Sequence, residues 1–182
     1  MAFAAPLFLL AYGVLRWIDG ADGQHDKGGL AWNVGHLAFL ASMVTFVLLA
    51  AALYRRATLA RRTAVVAVTA AVFGAGCMIW VIVGDLSPAL REQWPLPDVL
   101  DTAGPIAFVL GTIALLSLQV AAGKLPVWRP MLFFLGYTAI SINLDLLPLA
   151  ALLILGALAP LGRLAVAGPT PARRPDSPSR TA

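Results

Sequence analysis

The sequence predicts an all-α, polytopic integral membrane protein, a bundle of six transmembrane helices whose last two are short. Three observations carry that expectation. Hydrophobic residues make up 60% of the 182 and charged residues only 12%, where a soluble domain has roughly half and a quarter. Apolar runs recur at lengths that cross a ~30 Å hydrocarbon core as helix, which takes about 20 residues, and no period-two alternation argues for a barrel. Basic and acidic residues also alternate from loop to loop, as the positive-inside rule asks of a chain that crosses repeatedly.

The chain reads as one membrane domain, 1–167, followed by a tail, 168–182. The first run, 2–18, has no positive segment ahead of its apolar core and no convincing small-residue cleavage site, so a retained helix is expected rather than a signal peptide. The second helix, 31–54, runs into Arg55-Arg56. The third, 63–84, starts after Arg61-Arg62 and stops at Asp85. The proline-rich connection beyond it is predicted to hold a short surface helix from Pro88 to Trp94.

The fourth helix, 102–122, places Gly104, Ala107, Gly111 and Ala114 on one face. Small residues there let a neighbouring helix approach closely. A packing seam inside the bundle is the expected use, and the same Gly104/Gly111 face is the candidate contact for a partner helix. The last apolar region splits into helices 127–143 and 146–163 at Asn143-Leu144-Asp145-Leu146-Leu147-Pro148. Each half has about 17 residues, roughly 26 Å, barely a span. The choice lies between two tightly joined short helices and a re-entrant hairpin, whose tip at membrane depth needs cover from protein or a cavity. From Gly168 the chain is polar, proline-rich and aperiodic, which predicts disorder.

Six helices put the Arg55–Arg62 loop, the Lys124–Arg129 loop and the tail on one side, with nine net positive charges. The other side has five net negative, which together give the net +4. Both termini are therefore expected in the cytoplasm of a cell-membrane protein. The basic balance reports topology, and no nucleic-acid partner is implied. The lipid bilayer is the expected surrounding.

The stretch from Trp17 to His36 holds both histidines and three of the nine acids. Asp19 closes the first helix, where the macrodipole disfavours an anion, and an ion pair with Arg16 is the ordinary explanation. His36 shares a helical face with Asn33, Leu40 and Met43. Asp22, His25 and Asp26 read as solvated loop. Asp85 and Asp145 each begin Asp-Leu-x-Pro, so capping of the next helix is their ordinary reading, as it is for Asp98 and Asp101. Thr138, Ser141 and Asp145 form a polar stripe, for interhelical bonds or a cavity. Trp17, Trp32, Trp80 and Trp94 fit an aromatic belt.

Candidate catalytic acids are Asp19, Asp85 and Asp145. Candidate ligand-binding residues are these three with His36, Asn33 and Ser141. One cysteine, Cys77, excludes a disulfide or Cys-x-x-Cys couple. One histidine at membrane depth excludes bis-histidine haem. Protease-type His-Glu-x-x-His, phosphate-binding and Gly-x-Ser-x-Gly motifs are missing. No metal site is expected, and no cofactor is named by any motif.

Three functional classes remain. The first is a transporter or small-ligand or cation-binding protein with an outward-facing acidic/His cavity formed by Asp19, His36, Asp85 and Asp145. The second is a membrane-embedded enzyme in which a carboxylic acid of raised pKa protonates a lipid or isoprenoid, the general logic of terpene cyclases. The third is a non-catalytic partner or assembly protein.

Overall fold

The computed structural model describes residues 2–21 and 29–164, and among them every regular element is helical. In chain order these are α1 (Ala4–Asp19), α2 (Leu30–Arg56), α3 (Arg61–Leu86), the short α4 (Pro88–Gln93), α5 (Asp98–Ala121), α6 (Trp128–Ile142) and α7 (Leu147–Leu164). One 3-10 turn, Leu144–Leu146, joins the last two. Helices α2, α3 and α5 are long and apolar enough to cross a membrane. Helices α1, α6 and α7 have 16, 15 and 18 residues, roughly 22–27 Å of helix. Asp22, His25, Asp26 and the 168–182 tail lie outside the described residues.

Small residues decide which helices meet. A Cβ on Gly74 would lie 2.2 Å from the Gly104 carbonyl oxygen, and one on Gly111 would lie 2.5 Å from that of Ala67. The α5 seam expected from its small residues therefore exists, and its occupant is α3 of the same chain. Along that face, Gly104 meets Cys77 and Gly74, and Gly111 meets the Ala67 and Ala71 backbone, all of α3. Gly35 of α2 packs on Tyr12 and Leu15 of α1, and Gly136 of α6 on Ile154 and Ala150 of α7. Gly13 brings α1 against Leu147 and Pro148 at the start of α7. The close contacts run antiparallel within the α1–α2, α3–α5 and α6–α7 pairs, so Asp19 and Asp85 fall at one end of the bundle with Arg16 and Arg91, and Arg55, Arg56, Arg61 and Arg62 at the other.

The centre is aromatic. Phe46, Phe108, Phe133 and Tyr137, from α2, α5 and α6, have ring centroids 5.0–6.5 Å apart, inside the range of favourable edge and tilted pairs. The outer faces are apolar too, with Leu48, Val66, Phe73, Leu149 and Leu152 exposed. A helix that is hydrophobic all round suits a membrane and not water.

At the basic end, cations answer helix carbonyls. Lys124 donates to the Arg56 oxygen at 3.0 Å and Arg61 to that of Tyr54 at 3.3 Å, where the last turn of α2 leaves acceptors open. Arg129 donates to the Gly156 and Ala157 oxygens at 2.8 and 3.0 Å. Residue 160 is proline, which has no N–H for the Gly156 carbonyl four residues earlier. The guanidinium supplies the missing donor.

The capping expectations are corrected. Asp85 belongs to the last turn of α3; Ser87 occupies the N-cap of α4 without a side-chain bond. Asn143, in extended backbone, accepts from the Asp145 N–H at 2.8 Å, so Asn143 and not Asp145 caps the turn. Helix α5 starts at Asp98 behind Pro97, earlier than the expected 102, and Asp98 and Asp101 fall in its first turn with no cap bond. There they complement the positive pole of the helix. The hairpin tip reaches the end of α1: the Trp17 indole donates to the Asp145 oxygen at 2.8 Å, and 141–146 are exposed.

Candidate functional site

The acidic end is assembled from α1, α2, α3 and α4. His36 sits one turn and a half into α2 and is buried, 3% exposed. Its burial follows from its neighbours: Gly35 lets α1 come close, and the ring lies 5.3 Å from Tyr12 and 4.1 Å from Trp32, centroid to centroid. Asp85 reaches it from α3, with His36 Nε2 and Asp85 Oδ2 3.7 Å apart. The other carboxylate oxygen accepts from Arg91 of α4 at 2.8 Å. The chain turns back at Ser87, which is what lets residues six apart meet.

The hydrogen-bond geometry restricts the histidine. Nδ1 lies 2.8 Å from the Trp32 carbonyl oxygen. A carbonyl only accepts, so this nitrogen carries the proton. In a neutral ring Nε2 then presents a lone pair toward the lone pairs of Asp85. One proton between them, on either partner, turns that repulsion into attraction.

Asp19 and Arg16 line a cleft with Tyr12, Trp32 and His36, so Asp19 stands beside the pair. That cleft measures about 10 Å³, and one water needs at least about that much. Of the four residues expected around an acidic cavity, this cleft takes in Asp19 and His36; a separate space of about 190 Å³ at the same end is lined by Arg91, Asp98 and Asp101. Asp145 joins this end only through its main chain. Its carboxylate is exposed and has no ion pair among the described residues. Asn33 is half-buried on α2, one turn before His36. Ser141 lies elsewhere: its hydroxyl donates to the Tyr137 oxygen at 3.0 Å, and it lines a second, larger space.

That space is a cavity of about 580 Å³ bounded by α1, α2, α3, α5, α6 and the start of α7. Leu9, Phe39, Met78, Val109 and Phe134 make most of its wall apolar, and Thr138 and Ser141 add hydroxyls. The predicted stripe on α6 thus faces a cavity for two of its members, while Asp145 falls past the helix end. Tyr12 borders both this cavity and the acidic cleft.

Three participants escaped the sequence reading. Tyr12 precedes Arg16 by four residues and Asp19 by seven, a helical spacing that marks one face. Arg91 counts in sequence only as one more loop charge. Trp32 is half-buried with its indole N–H unpartnered among the described residues, which corrects its place in the belt, while Trp17, Trp80 and Trp94 are exposed. No group of three or more His, Cys, Asp or Glu able to hold a metal occurs among the described residues. Comparison with known families, curated proteins and solved structures finds no match for this chain.

Proposed function

We propose that this chain is a six-span cell-membrane protein with both termini cytoplasmic, which takes up and releases a proton at its outer end while binding or moving a small ligand. The six crossings are supported by three helices of full length, three shorter apolar helices packed in the same bundle, α1 on α2 and α7, and α6 on α5 and α7, and charges segregated by end. The single observation that carries the function is the His36–Asp85 contact at 3.7 Å. A buried histidine with one nitrogen committed to a carbonyl, facing a carboxylate, binds a proton reversibly. Ionisable groups held at such depth are characteristic of proton relays. Arg91, with its side chain 59% exposed, links Asp85 to the aqueous rim.

Proteoliposomes containing a pH-sensitive dye, with membrane potential clamped, test this reading. The wild-type protein should dissipate an imposed pH step faster than empty vesicles. Asp85→Asn and His36→Gln should return the rate to that of empty vesicles, and Asp145→Asn should not. Flux unchanged in Asp85→Asn, or no flux above empty vesicles in the wild type, overturns it.

The position of Tyr12 between the proton pair and the apolar cavity favours a second reading. A membrane-embedded enzyme would hold a lipid or isoprenoid in that cavity, with Tyr12 on its wall relaying a proton from the His36–Asp85 pair. Incubation with membrane lipid extract would then yield a new product with the wild type and none with Asp85→Asn.

A further inference from the structure

We infer that the cavity of about 580 Å³ is a binding site for an uncharged, membrane-dissolved alcohol with a long hydrocarbon body. Its volume falls within the roughly 300–1,000 Å³ of small-molecule sites. No Asp, Glu, His, Lys or Arg lines it, so a charged ligand would lose its hydration with no counter-charge in return. This separates it from the acidic cleft and excludes a cationic occupant.

The route of access points the same way. Ile106, Leu110 and Phe134 border the cavity and are 53%, 59% and 53% exposed on the outer faces of α5 and α6. In a membrane-spanning bundle those faces meet hydrocarbon, so the occupant enters sideways from the bilayer. The polar groups fix its end. Tyr137, on the wall and only 7% exposed, has a hydroxyl with no hydrogen-bond partner among the described residues, a costly state that a ligand oxygen relieves. The Ser141 hydroxyl already donates its proton to the Tyr137 carbonyl, which leaves it free to accept. One donor and one acceptor a turn apart on α6 match the acceptor and donor of a single alcohol group.

The inference rests on the membrane reading but not on the proton reading, because ligand occupancy and proton flux are measured separately. The full chain, purified in detergent, is photolabelled with a diazirine-bearing farnesol analogue and the labelled peptides are sequenced. Label is expected on Ile106–Leu110 and Phe134–Ser141, with farnesol competing at least about tenfold better than protonated farnesylamine of the same chain. Val109→Trp fills the cavity and should cut labelling about tenfold with the melting temperature retained. Should that variant fail to fold, Leu110→Trp at the mouth is read in the same way. Label spread evenly over outward positions such as Leu48 and Val66, equal competition by the amine, or unchanged labelling in a folded cavity-filled variant overturns the assignment.

Discussion

Two arginines illustrate how place sets the worth of an interaction. Arg91 holds Asp85 at 2.8 Å, yet its side chain is 59% exposed, and exposed pairs contribute about 0–1 kcal/mol because water and salt screen them. Arg129 answers a carbonyl that Pro160 leaves without a donor, with two bonds from one nitrogen. Hydrogen bonds from a charged group contribute about 1.5–3 kcal/mol. Arg129→Ala should therefore lower stability by about that amount and Arg91→Ala by less than about 1 kcal/mol. Thermal denaturation of both variants in detergent compares them, and the opposite order would sink the argument. At the same scale, the His36 ring is oriented by a neighbour four residues back, the Trp32 carbonyl. Helical spacing makes that bond available; the Asp85 half of the pair has to come from another helix.

Among elements, the α3–α5 seam is the most constrained contact. A methyl on Gly74 would meet the Gly104 oxygen at 2.2 Å and the Phe108 nitrogen at 2.3 Å, both of them backbone. Nothing flexible can yield, so the helices must separate. Gly76, two residues on, has nothing within 4 Å. Gly74→Ala should destabilise by about 1–3 kcal/mol or more through overpacking, whereas Gly76→Ala should be neutral or stabilise by about 0.4–1 kcal/mol through lost chain entropy. Melting of the two variants side by side checks this. Equal effects would mean that the seam is not held by close backbone approach. The small-residue spacing of α5 was legible in the sequence because helical periodicity puts residues three and four apart on one face. Its partner was not, since α3 shows several small residues and periodicity does not say which helix faces which.

For the whole molecule, the segregation of charge carries the proposed orientation. Leu59, in the loop between α2 and α3, and Asp145, at the hairpin tip, lie at opposite ends of the bundle. In a background lacking the buried Cys77, Leu59→Cys should react with a membrane-impermeant maleimide only after lysis, and Asp145→Cys in intact cells. Labelling of both from one side would remove the six-span topology and the orientation together.

Composition and run length were enough by themselves to specify helices, three of them long and apolar enough to cross a membrane, and loop charge set the expectation of sidedness. Each depends on local chemistry: backbone satisfied within the helix, apolar side chains of sufficient length, and charges counted per loop. The sequence could also nominate Asp19, His36, Asp85 and Asp145 as residues that need explaining. Only tertiary packing decided that His36 meets Asp85 while the Asp145 carboxylate stays exposed. Packing also decided that the cleft beside His36 narrows to about 10 Å³ while an apolar cavity of about 580 Å³ opens on the other side of Tyr12. Those outcomes depend on close approaches between helices, at Gly13, Gly35 and Gly74, and a one-dimensional pattern contains the glycine but not the surface that it lets in.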